Sequence, residues 1–141
     1  MGYFYALLVL VLALWGCTSI NVQPVEASAQ LRHVCIQENP KVQVSDFLPV
    51  LRDGFDRHGI PTEVFTGEQS NRCEYVLTYT ALRSWDLKPY LSHAELRMEK
   101  SGRKVASAEY HLRGRGGWAL TKFRGTRAKM DPVIDELLAA Y

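Results

Sequence analysis

Two histidines and two glutamates stand at alternating positions in "SHAELR" (92–97) and "AEYHLR" (108–113): His93 and Glu95 in the first, Glu109 and His111 in the second. Residues two apart share one face of a strand. Pairing the two segments with Met98 opposite Ala106, Leu96 opposite Ala108 and Ala94 opposite Tyr110 collects the apolar side chains on one face, as burial requires. The other face then sets His93 opposite His111 and Glu95 opposite Glu109. Like charges directly across a ladder repel. A cation would relieve them, and two imidazoles with carboxylates are a donor set for tetrahedral zinc. An exposed two-strand face lacks the enclosure and outer support such ligands usually have. The sequence therefore favours a solvated face, with the glutamates paired to Arg97 and its neighbours, and no metal or cofactor is expected.

Cysteine is the next reactive type, at positions 17, 35 and 73. Cys17 ends "ALWGC", after the run Tyr3–Leu14, which is nearly pure apolar and twelve residues long. A spanning helix needs roughly 20 such residues, so the run fits the apolar region of an export signal. The pattern for myristoylation at Gly2 fails, because the sixth residue is Ala6. Leu14-Trp15-Gly16-Cys17 resembles a bacterial lipobox. The resemblance implies lipidation of the Cys17 thiol, cleavage before it and acylation of the new amino group, with Gly16 leaving the protease room at the backbone; an uncleaved signal anchor with a free cysteine is the alternative. Thr18 follows in place of the Asp that resembles an inner-membrane retention signal, which favours the outer membrane. Two cysteines then remain, and in an oxidising compartment Cys35 and Cys73 read as a disulfide. Two buried free thiols are the alternative.

Other clusters carry weaker chemistry. "RSWDLKPYL" (83–91) sets Trp85, Asp86 and Tyr90 at a strand end, a candidate contact surface or simply the packing of a turn. "RGRGGW" (113–118) lacks the Lys-Ser/Thr ending of a phosphate loop and reads as a flexible connection or an Arg/Gly turn near anionic headgroups. His33 and His58 are isolated and read as structural. No Ser-His-Asp, Cys-His or HExxH spacing occurs, so the chain is not expected to be an enzyme. A net charge of +2 is too small to argue for a nucleic-acid partner.

These residues need positioning elements. "LRHVCIQ" (31–37) reads as a strand. Phe47, Leu48, Leu51 and Phe55 recur at helical spacing after Ser45, a good N-cap, and Gly59 suits the helix end. "PTEVFTG" (61–67) is a second strand and "CEYVLTYTALRSW" (73–85) a central one, with Tyr75, Leu77, Tyr79 and Ala81 on one face. The histidine hairpin turns through a three-residue loop, Ser101-Gly102-Arg103. Trp118, Leu120 and the residues after them extend the sheet. A final helix starts at Asp131-Pro132, or near Thr126 with a bend at Pro132, and buries Val133, Ile134, Leu137 and Leu138. The order predicts an α+β fold: a two-layer sandwich of a mainly antiparallel sheet of four to five strands with two helices on one face. Residues 1–16 are the signal peptide, 17–30 the lipidated cysteine and a polar flexible tether, and 31–141 a single globular domain.

"CIQENPKV", "DFLPVLRDGFDRHGI", "YTALRSWDLKPYLSHAEL", "EYHL" and "DPVIDELL" resemble a family of small proteobacterial outer-membrane lipoproteins of unknown function, from Val34 to Leu138. In element order the domain also resembles two-layer lipoproteins that assist lipopolysaccharide assembly or transporter complexes. The resemblance implies a location and a fold and no activity. The expectation is a lipid-anchored, periplasm-facing envelope protein, a non-enzymatic accessory that contacts another envelope protein. The alternative is a small carrier of a lipid, a glycolipid or a metal ion.

Overall fold

The computed structural model describes residues 18–68 and 72–141. Cys17 and the apolar run before it lie outside the described residues. The strands are β1 (Thr18–Gln23), β2 (Val34–Gln37), β3 (Thr62–Phe65), β4 (Tyr75–Asp86), β5 (Lys88–Lys100) and β6 (Arg103–Leu112). The helices are α1 (Phe47–Arg57), between β2 and β3, and α2 (Thr126–Leu137), after β6. The strands form one sheet in the order β1-β6-β5-β4-β2-β3. β1, β6, β5 and β4 pair antiparallel, while β2 runs parallel to both β4 and β3. The fold is therefore the expected α+β sandwich, with six strands where four to five were expected.

The additional strand is β1, and it corrects the tether. "TSINVQ" is mostly polar because β1 is an edge strand whose outward residues meet water. Ile20 and Val22 lie beside Tyr110 and Ala108 on the inner face. Val25 is buried, and its amide donates to the Leu137 carbonyl at 2.9 Å. The fold thus already includes Thr18, the residue after Cys17.

One sheet face and the two helices enclose the core. α1 buries Phe47, Val50, Leu51 and Phe55; α2 buries Met130, Val133, Ile134 and Leu137. They meet Ile36, Leu77, Leu96 and Met98 of the sheet, all buried, and Phe47 stacks on Tyr79 at 5.5 Å between ring centres. The helices approach closely because α1 carries Gly54 against Ile134: a Cβ there would stand 2.8 Å from Ile134 Cδ1. Burying that much apolar surface is what stabilises a domain of this size. On the opposite face Cys35 and Cys73 form the expected disulfide beside Val76, joining β2 to the start of β4.

Two local expectations change, and of the two starts offered for the last helix the structure takes the earlier. Asp46, not Ser45, occupies the helix N-cap position, and its carboxylate accepts from the Thr126 hydroxyl at 2.8 Å, tying the start of α1 to the start of α2. α2 begins at Thr126 with Pro132 inside it, and the first two turns are retained because they bury Met130 and Lys129. Residues 113–123 do not extend the sheet. Gly114, Arg115, Gly116 and Gly117 all have positive φ, which no strand accommodates, and the segment forms two 3-10 turns, Arg113–Gly116 and Leu120–Phe123.

Candidate functional site

The β5–β6 register is the one that burial demands. His93 faces His111, Ala94 faces Tyr110, Glu95 faces Glu109, Leu96 faces Ala108 and Met98 faces Ala106. The turn achieves it differently from the three-residue loop. Lys100 pairs with Arg103, leaving a two-residue turn at Ser101 and Gly102 with φ of 50° and 74°. Positive φ at both central positions is the hairpin turn whose twist matches the strands. Taken alone, that turn would put Leu96 opposite Ser107. A bulge restores the phase: Glu99 pairs with Lys104 while Met98 pairs with Ala106, so Val105 is the extra residue.

Behind the bulge the outer face carries two polar rows. One runs Leu82, His93, His111, Ser19 across β4, β5, β6 and β1; the next runs Thr80, Glu95, Glu109, Asn21. His93 Nδ1 lies 3.3 Å from His111 Nδ1, and His93 Nε2 lies 2.9 Å from Glu95 Oε1. Ligating atoms of His93, Glu95 and Glu109 fall within 4.8 Å of one another. The imidazole of His93 is mostly covered, with 18% of its side chain accessible. Arg97, the expected partner of the glutamates, binds Glu99 at 2.5 Å instead. His33, Cys35 and Glu63 also converge, but Cys35 is committed to the disulfide.

The contact cluster 83–91 is the tip of the β4–β5 hairpin. Trp85 faces Pro89 and Asp86 faces Lys88, with Leu87 at a φ of 60° between them. Trp85 is 74% exposed and Leu87 87% exposed. Tyr90 is not a surface residue: it is buried, and its hydroxyl donates to the Arg115 carbonyl at 2.7 Å. Asp86 is bound to the ammonium of Lys122.

Two buried lysines fasten the 113–123 segment onto this tip. Lys122 Nζ donates to Asp86 and to the Gly117 carbonyl at 2.7 Å, while Lys129 Nζ donates to the carbonyls of Leu91 and Lys122. Burial pushes the Lys129 ammonium down to a pKa of about 8. Gly116 permits the packing, since a Cβ there would lie 2.7 Å from Lys122 Cβ. The fastening leaves Trp118 and Leu120 pointing into solvent. Sequence reasoning missed Lys122, Lys129, Trp118 and Leu120 as parts of one end, because only the fold brings 113–129 to 82–91.

The same end holds the start of β1, since Thr18 pairs with Leu112 where β6 runs into the first 3-10 turn. Arg83, Lys88, Arg113, Arg115 and Arg124 are exposed around it. His58 lies elsewhere and is structural, as expected. Its ring bridges the Tyr141 carbonyl at 3.1 Å and Asp135 at 2.9 Å. Burial pushes the Asp135 carboxyl up, but the hydrogen bonds from His58 and Arg57 outweigh it and hold the group below its ordinary value.

No protein-family model and no curated protein matches the chain. Among solved structures it is similar in fold to a PelC dodecamer from Paraburkholderia phytofirmans, with 16% identity and a TM-score of 0.56 over 86% of this chain and 97% of that one. A single-substitution variant of that PelC dodecamer gives 13% identity and a TM-score of 0.54 over 86% and 96%. At this identity the likeness concerns the fold.

Proposed function

We propose that the protein is a lipid-anchored, periplasm-facing lipoprotein of the outer membrane, acting as a non-enzymatic interaction domain seated end-on on the lipid surface. One observation carries the reading. The strand that follows the lipobox cysteine starts at the end of the sheet where Trp85, Leu87, Trp118 and Leu120 are exposed among arginines. With Cys17 one peptide bond from Thr18, acyl chains on its sulfur and amino group would enter the bilayer beside those side chains. Indole rings favour the boundary between headgroups and acyl chains. Each Lys or Arg near an anionic surface adds about 1 kcal/mol of attraction. No helix among the described residues is long and apolar enough to cross a membrane, so attachment in this reading rests on the lipid and on this end of the domain.

The interaction partner in this reading is further copies of the same chain. The similarity to solved dodecamers supports it, together with a β1 edge that no other strand among the described residues pairs, beside the anchored end.

Metabolic labelling with palmitate tests the anchor. Wild-type chain is expected to take up label and fractionate with membranes, and Cys17→Ser to lose both; an unlabelled wild type, or a membrane-bound Cys17→Ser chain, refutes it. Flotation of the Cys17→Ser chain with anionic vesicles tests the seat. Trp85→Ser with Trp118→Ser is expected to cut the bound fraction several-fold, and no change removes the end-on arrangement. Mass measurement of the detergent-extracted protein tests assembly, and a monomer at every concentration counts against it.

A further inference from the structure

The histidine pair on the outer face plays no part in the anchor or its seat. We propose that His93, His111 and Glu109 form a binding site for one divalent transition-metal ion of the zinc class, with Glu95 as the positioning residue for His93.

The separation of the two ring nitrogens supports this first. Zinc sits 2.0–2.1 Å from imidazole nitrogen, so two nitrogens on one tetrahedral centre stand about 3.3–3.4 Å apart. His93 Nδ1 and His111 Nδ1 are 3.3 Å apart. The separation suits one ion, which would replace the hydrogen bond between the two rings. The second ring nitrogen of His93 already has the partner that metal-bound histidines use. Glu95 Oε1 lies 2.9 Å from Nε2, leaving Nδ1 as the ligating atom and fixing the plane of the ring.

The third argument is charge. Glu95 and Glu109 stand directly opposite each other, and the arginine nearest in the ladder is bound to Glu99. With Glu95 engaged by His93, Glu109 is the carboxylate placed to complete the set: its oxygen lies within 4.8 Å of ligating atoms of His93 and Glu95, and it stands two residues from His111 along β6. A two-imidazole, one-carboxylate set with a remaining position for water suits zinc and neighbouring first-row ions better than calcium or magnesium, which prefer oxygen. Placement favours a defined site too. The two histidines stand on inner strands of the sheet, His93 largely covered and His111 exposed, with Leu82 of β4 on one side and Ser19 of β1 on the other.

The test is titration of the full-length, tag-free chain, stripped with a chelator, with Zn²⁺ by calorimetry and with Co²⁺ by visible absorption. The expected result is one ion per chain, a tetrahedral cobalt spectrum and no comparable heat with Mg²⁺ or Ca²⁺. His111→Gln is expected to abolish binding. Glu95→Gln, which keeps every proposed ligand, is expected to weaken it about 10- to 100-fold. Circular dichroism of the metal-free variants verifies folding; if His111→Gln does not fold, Glu109→Gln serves as the ligand variant. No zinc binding by the wild-type chain, binding indifferent to both ligand variants, or equal binding of Ca²⁺ overturns the proposal.

Discussion

Gly54→Ala is a direct test of how the two helices meet. In an exposed helix the change would stabilise by about 1 kcal/mol, because alanine restricts the unfolded chain and favours helix. Here the new methyl would stand 2.8 Å from Ile134 Cδ1 and 2.9 Å from Ile134 Cγ2. Ile134 is fully buried, so it can yield only by displacing its own neighbours. Overpacking of this kind costs about 1–3 kcal/mol, which offsets the propensity gain of about 1 kcal/mol and leaves a net loss of up to about 2 kcal/mol. Ile134→Ala removes both clashing atoms, leaving Cβ as the nearest, at an ordinary 3.4 Å. Alone it should cost about 2–5 kcal/mol through the cavity it opens. Combined with Gly54→Ala it should cost less than the sum of the two, by a coupling of about 1–3 kcal/mol. Urea unfolding of the four proteins, followed by circular dichroism with the disulfide intact, measures the cycle. A Gly54→Ala protein more stable than wild type, or additive single changes, would refute the close approach of α1 and α2.

Two further outcomes follow from the buried groups. Lys129 releases its proton near pH 8 in the folded chain and near 10.5 when unfolded, so between these values the unfolded state binds more protons and stability rises with pH. The gain is about 3 kcal/mol at most. Tyr110, pushed up to about 12 by burial, acts oppositely above its ordinary value of 10, where stability falls. Urea midpoints between about pH 8 and 10 should therefore climb in wild type and stay flat in Lys129→Met; parallel profiles would disprove the assignment to Lys129. Replacing both Cys35 and Cys73 by alanine opens a loop of separation 38 and should cost about 4 kcal/mol on the chain-entropy account. An unchanged urea midpoint would show that the bridge does not constrain the unfolded chain.

The sequence was most informative where one face is buried. Ala94, Leu96 and Met98 could meet Ala106, Ala108 and Tyr110 in only one phase, so the pairing of His93 with His111 was legible before any coordinates. The turn was not. Ser101-Gly102 and the bulge at Val105 jointly satisfy a phase that three loop residues would also satisfy, and only backbone angles separate them. β1 was hidden because an edge strand needs few inward apolar residues, and Ile20 and Val22 among Thr, Ser and Asn look like solvated chain. Asp131-Pro132 is a strong helix start, yet α2 begins earlier because Thr126, Lys129 and Met130 gain burial against elements distant in sequence. The tip of the β4–β5 hairpin illustrates the same limit: the apolar residues at 85, 87, 118 and 120 are visible singly in the sequence, and their common location is not.

The Cys35–Cys73 bridge also gives the molecule a topological property. A single backbone scission anywhere from residue 36 to residue 72 would leave two polypeptides still covalently joined. Whatever holds the N-terminal fragment would then keep β4, β5, β6 and α2 as well. Such a nick would go unseen on a non-reducing gel and become two bands once thiol is added.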